Sequence, residues 1–213
     1  MLQSGKKSQI NLAPKEPNVA KSRKKNTKSR NRTAKKAPSK ATRSKSTVSA
    51  TPSPDSINAL RQLLAKYLET SEAHASWRDA FAEMPPELRG AKVPGSPHTA
   101  WQMLEHLRIA QWDIVGFSRD PKHVSPDFPS GYWPSSPTPP DDTAWDASVR
   151  AYHNDAEEMR KLIVDPKTDL FAKIPHSDGK TILREALLLI DHNAYHLGQL
   201  VLLRRLLDAW PTQ

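Results

Sequence analysis

Apolar side chains recur at spacings of three and four in separate stretches of the chain, the period of a helix with one buried face. In the first, Ile57, Leu60, Leu64 and Tyr67 follow Asp55, a residue suited to a helix N-cap. Trp77 and Phe81 extend this helix through 74–84, and Pro85 and Pro86 stop it. A second helix is predicted from about 99 to 118 on Met103, Leu107, Ala110, Ile114 and Phe117, closed by Pro121. A third, from about 142 to 164, carries Trp145, Val149, Tyr152, Ala156, Met159 and Ile163 and ends before Pro166. The fourth, from about 180 to 208, has Leu183, Leu187, Ile190, Ala194, Leu197 and Val201 as its expected buried stripe. It is the most apolar of the four and is expected to be the best covered. Residues 121–140 hold seven prolines together with Phe128, Tyr132 and Trp133, too apolar a set for a free linker, so an ordered loop across the domain is expected. No stretch reads convincingly as a strand. The predicted fold class is all-α, a four-helix bundle with a long Pro-rich crossover loop.

Composition divides the chain in two. Residues 1–54 carry 15 Lys/Arg and a single acid, Glu16, and contain no Phe, Trp or Tyr; the rest carries 17 Lys/Arg against 22 acids. A segment so charged and so poor in apolar groups cannot offset the entropy of ordering, about 1–2 kcal/mol per residue. Residues 1–54 are therefore expected to be a disordered basic tail, and residues 55–213 the helical bundle domain. There is no cysteine, which removes disulfides, thiolate ligands and a Cys nucleophile. No apolar run reaches the roughly 18 residues that cross a bilayer. Met1 to Ile10 lacks the apolar centre of a signal peptide, and the Lys-rich tail lacks the amphipathic stripe of an organellar presequence. A cytoplasmic protein with no membrane partner is expected.

Candidate chemistry resides in the histidines. His192 and His196 stand four apart on the last helix, on one face and about 6 Å apart along its axis. Two imidazoles so placed reach one ion at about 2.0–2.1 Å each. On a helical wheel they share a side with Glu185, Leu188, Leu189, Gln199 and Leu203, which should face the interior. Spacing alone leaves open that both are core histidines satisfied by hydrogen bonds. A metal reading needs a third ligand from another helix, and His106, one turn from Met103 and Ala110, is the candidate. Glu185 and Gln199 are candidates to orient the imidazoles, or else are solvated at the bundle end. Asp191 and Glu105 point elsewhere and read as salt-bridge partners; Tyr195 also points away from His192. Gly198 reads as a point of close helix packing. His98 is expected to flank or cap the second helix, with a place at the site mouth as the alternative. His74, His123, His153 and His176 read as structural or surface residues.

Three segments together resemble the DinB-like family of metal-dependent bundle proteins (DinB/YfiT-like). They are His98-Thr-Ala-Trp-Gln-Met-Leu-Glu-His106-Leu-Arg-Ile-Ala-Gln-Trp-Asp113, Phe128-Pro-Ser-Gly-Tyr-Trp-Pro134, and Asp191-His-Asn-Ala-Tyr-His-Leu-Gly-Gln-Leu-Val-Leu-Leu-Arg-Arg205. The likeness covers about residues 55–210 and none of the tail. It implies one divalent ion, zinc or nickel, held by His106, His192 and His196, with the remaining position left to water or substrate. Some members of the family work with low-molecular-weight thiols as co-substrates. Without cysteine here, any sulfur must arrive with the substrate.

The functional expectation is a metal-dependent hydrolase or a thiol-dependent transferase acting on a small molecule, with catalytic residues unassigned. Two alternatives stand beside it. One is a nonenzymatic metal-binding or scaffold bundle, as a homodimer. The other is a nucleic-acid-associated protein working through its tail, whose cations suit weak, salt-dependent polyanion binding and whose lack of aromatics removes base stacking.

Overall fold

Serine and threonine caps set where the helices begin in the computed structural model, which describes residues 52–211. The first helix, α1 (Pro54–Glu69), is capped by Ser53, whose hydroxyl accepts from the Ser56 amide at 3.2 Å, with Pro54 in its first turn. Ser53, not Asp55, is the N-cap, and Asp55 lies in the first turn, where it favours the helix dipole. The chain leaves the helix at Thr70. Residues 74–84 do not continue it. Ser76 and Asp79 form a reciprocal capping box that starts a separate short helix, α2 (Trp77–Phe81). The sequence repeat ran across this break because Trp77 and Phe81 keep the helical spacing within α2.

Thr99 and Gln102 form a second capping box opening α3 (Ala100–Arg119). α4 (Ala144–Val164) and α5 (Ile182–Leu206) complete the set, the last capped by the Thr181 hydroxyl. The architecture is all-α: four long helices plus the short α2, with a lone bridge between Lys173 and Thr181 as the extended pairing among the described residues. No helix among them is long and apolar enough to cross a membrane. The expected tail falls on residues almost all outside the described ones.

α3 is the central element, packed on α4 and α5, while α1 covers α4. Its expected stripe is buried at Met103, Leu107, Ala110 and Ile114, and that of α4 at Trp145, Tyr152, Ala156, Met159 and Ile163. Two predicted faces are rotated. In α1, Arg61, Leu64 and Leu68 go inward and Tyr67 is left 45% exposed. In α5, the buried set is Ile182, Ala186, Leu189, Leu197, Leu200 and Leu203, and Leu187 stands outward at 51% exposure. In α5 leucines fall on several sides of the helix, so its apolar period has little contrast and either of two stripes fits. Nor is α5 fully covered: Leu187, Tyr195, Leu202 and Leu206 are all more than half exposed.

Two apolar clusters fill the bundle, one around Phe81, Trp101, Leu104, Trp145 and Leu200, the other around Leu64, Ile114, Met159, Ile163 and Leu189. A buried polar link joins α3, α4 and α5: Gln111 donates to the Tyr152 carbonyl, and Asn193 donates to Gln111 Oε1 at 2.9 Å. Two buried arginines close the ends of other helices. Arg61 of α1 donates to the carbonyls of Ile163, Asp165 and Thr168. Arg204 of α5 donates to those of Asp79, Ala80 and Ala209 at 2.7–3.0 Å.

Candidate metal centre

Packing α3 against α5 brings the middle of one helix to the middle of the other. His106 faces α5 from a buried position, and His192 and His196, one turn apart, face back. The Nε2 atoms converge: His106 lies 3.1 Å from His196 and 3.1 Å from His192. One ligand atom from each of the three lies within 4.8 Å of the others, so the trio could hold one metal ion. A tetrahedral ion with bonds of about 2.0–2.1 Å sets its ligand nitrogens roughly 3.3–3.4 Å apart, close to the observed spacing.

Proton placement says more than distance. Burial pushes His106 down to about 4 and His192 down to about 3, and it lowers His196 as well, so the rings are neutral at pH 7. His106 Nδ1 lies 2.9 Å from the Tyr132 carbonyl oxygen, which only accepts, so Nδ1 carries the proton and Nε2 is a bare lone pair. His196 Nδ1 faces Gln199 Oε1 at 2.9 Å, and with the amide so oriented the oxygen accepts from Nδ1 and Nε2 is again the bare lone pair. The short contact between His106 and His196 is then lone pair against lone pair. A proton on His192 Nε2 can relieve only its own contact with His106. A cation among the three relieves both.

The crossover loop builds the wall of this centre. Its single turn of 3-10 helix, Ser130–Tyr132, delivers the Tyr132 carbonyl to His106. The next residue, Trp133, stacks flat on the His106 ring at 3.8 Å and 0°. His98 stacks on Trp133 at 3.6 Å and 11°. The loop is tied down by Asp113, buried on α3 two turns beyond His106. Asp113 accepts from the Tyr132 hydroxyl at 2.6 Å and from His123 Nε2 at 2.8 Å. Burial, and then the bond to Asp113, raise the Tyr132 phenol well above its ordinary value. His123 lies against α3 at Gly116, where a Cβ would stand 2.3 Å from its Nδ1. Glycine is what permits this approach.

A family model for the DinB superfamily matches residues 69–200, well over half of the chain. The chain belongs to the DinB superfamily. No curated protein and no solved structure matches it. In this DinB domain the three histidines singled out from the sequence meet at one point, and Gln199 contacts one of them. Glu185 is not brought to the imidazoles; it is buried two turns before His192 and takes the Arg184 guanidinium at 2.8 Å. Burial outweighs that pairing and raises its carboxyl. Glu105 pairs with Arg108 at 2.7 Å, and Asp191 and Tyr195 stand outward. His153 stacks on Trp77, His176 donates to the Phe117 carbonyl, and His74 is exposed. Gly198 packs against nothing among the described residues, since a Cβ there would have open space.

Sequence reasoning missed Tyr132, Trp133, Asp113 and His123 as parts of the centre. A backbone carbonyl has no residue-type signature, so the Tyr132 contact carried no signal. Asp113 did carry one: it is seven residues past His106, on the same face of α3.

Proposed function

We propose that this DinB protein binds one divalent ion, zinc or nickel, through His106, His192 and His196, and uses it as a metal-dependent hydrolase or low-molecular-weight-thiol-dependent transferase on a small molecule. The observation that carries this reading is the pair of short Nε2 contacts that imidazole protons alone cannot satisfy. Three neutral imidazole ligands suit either metal. The ion supplies a Lewis acid and a place for a nucleophile or thiolate to bind. The chain's own residues do the positioning. Tyr132 and Gln199 hold the Nδ1 protons of two ligands. Trp133 shields one face of His106 from water. With no cysteine in the sequence, a thiol-dependent reaction takes its sulfur from a co-substrate.

The test is elemental analysis of the full chain by plasma mass spectrometry, beside His196→Ala. About one ion per chain is expected, lost in the variant while far-ultraviolet circular dichroism stays helical. Stoichiometric metal in His196→Ala, or none in the parent after reconstitution with excess zinc and nickel, would refute the reading.

A further inference from the structure

On α5 the side away from the core carries Leu187, Asp191, Tyr195, Gly198, Leu202 and Leu206. These positions lie within roughly 100° of arc and extend about 28 Å along the axis. All six are exposed, the four large apolar ones to 51%, 64%, 58% and 60%. Large apolar side chains recurring along the outside of a domain mark an interaction surface, and here Asp191 and the exposed Arg205 share the same arc. Gly198 lies near its centre with nothing within 4 Å of where a Cβ would be. Glycine in a helix interior is destabilising by about 0.5–1 kcal/mol relative to Ala, and no contact with a described residue offsets that.

The order of residues says what covers the stripe, because it is complementary to itself when reversed. Let a two-fold axis cross α5 between His196 and Leu197, with a second α5 running antiparallel. Tyr195 then stands opposite Gly198 of the second copy, a large ring facing the missing side chain, and the reciprocal pair forms by symmetry. Leu187 stands opposite Leu206, an apolar pair at each end. Asp191 stands opposite Leu202, within a turn of Arg205 of the second copy. Asp191 is exposed with no ion pair of its own among the described residues, and Arg205 is exposed with its guanidinium over the Trp210 ring at 5.7 Å. Size at Tyr195 and Gly198, apolar character at the two ends, and charge between Asp191 and Arg205 thus match in a single register.

We infer that the chain forms a two-fold homodimer through antiparallel packing of the outer face of α5, with Tyr195 seated on Gly198 of the second copy and Asp191 paired with its Arg205. This interface adjoins the histidine cluster, since the Tyr195 ring also meets the edge of His196 at 4.9 Å and 80°. The association itself needs no metal.

Sedimentation equilibrium of the full chain in the micromolar range should give a dimer of about 48 kDa, twice the 23.9 kDa chain. Gly198→Leu should be monomeric with unchanged helical circular dichroism. Asp191→Arg and Arg205→Asp should each weaken association about tenfold, and the double variant should recover it. Asp191 and Arg205 are almost four turns apart in one chain, so such recovery can arise only between chains. A monomeric parent, a dimer that survives Gly198→Leu, or a double variant no tighter than the singles would overturn the inference. The sequence has no cysteine, so disulfide formation gives a second check. Leu187→Cys mixed with Leu206→Cys should yield the crosslinked heterodimer. Its absence, with each variant alone crosslinking instead, would exclude this register.

Discussion

Gly116→Ala should destabilise this domain even though alanine is the better helix former. Gly116 lies in α3, where replacing glycine by alanine in a helix interior normally contributes about 1 kcal/mol of stability. Here the new methyl would stand 2.3 Å from His123 Nδ1, 2.5 Å from its Cε1 and 3.0 Å from its Cγ. The ring cannot slide aside in place: its edge meets Trp112 at 4.8 Å, and its Nε2 is held by Asp113. It must leave, and buried Asp113 then loses one of its two donors. A hydrogen bond to a charged group contributes about 1.5–3 kcal/mol, so the net loss is about 0.5–2 kcal/mol. Urea denaturation of four proteins tests this: the parent, Gly116→Ala, His123→Ala and the double variant. On the His123→Ala background the ring is already gone, so Gly116→Ala should stabilise by about 1 kcal/mol. The sign must reverse between backgrounds. If Gly116→Ala shifts stability in the same direction in both, the contact with His123 is not what glycine serves.

The same network sets a prediction for the metal centre. Tyr132→Phe keeps the ring but removes the hydroxyl bond to Asp113, loosening the turn whose carbonyl orients His106. Metal affinity, read by competition with a chromophoric chelator, should fall about 10- to 100-fold; unchanged affinity would show that the turn holds without it. Asp155 gives a pH-dependent case. Burial, opposed by the Arg108 charge and reinforced by Glu158, pushes its carboxyl from 3.8 up to about 6. Folding therefore takes up a proton between those values, and stability declines as pH rises through that window. Above it the charge costs about 1 kcal/mol, once partial exposure and solvent screening are allowed for. Asp155→Asn should raise the urea midpoint at pH 7 and leave it unchanged at pH 3.5; an equal gain at both would mean that charge is not the cause.

The legibility of this chain follows the contrast between its faces. α3 and α4 alternate apolar and polar positions clearly, so their spans and buried stripes could be read from the period, to within about two residues. The break at Thr70 could not, because Trp77 and Phe81 keep the helical spacing in a separate short helix. α5 has leucines on several sides, and its orientation is settled by the partners α3 and α4 supply. The histidine wheel was nonetheless informative, because Glu185, Leu189 and Leu203, which share that side, are buried. Gln199 and Glu185 looked equivalent on the wheel, yet Gln199 is one turn from its imidazole and Glu185 is two turns from the nearest. The loop could be recognised as ordered from its prolines and aromatics, while its contribution through a main-chain oxygen could not.

Arg61 and Arg204 determine how the fold comes apart. The last carbonyls of a helix lack partners within it, and helices commonly fray there first. Here the end of α4 is closed by a guanidinium from α1, and the last turn of α2 by one from α5. Unwinding either end strands a buried cation belonging to a different helix, so neither opens alone. α2, at five residues, is far too short to persist by itself, yet it inherits the lifetime of the longest helix in the bundle. In hydrogen exchange, α1 with the end of α4, and α2 with the end of α5, should therefore open as two cooperative units that cut across chain order.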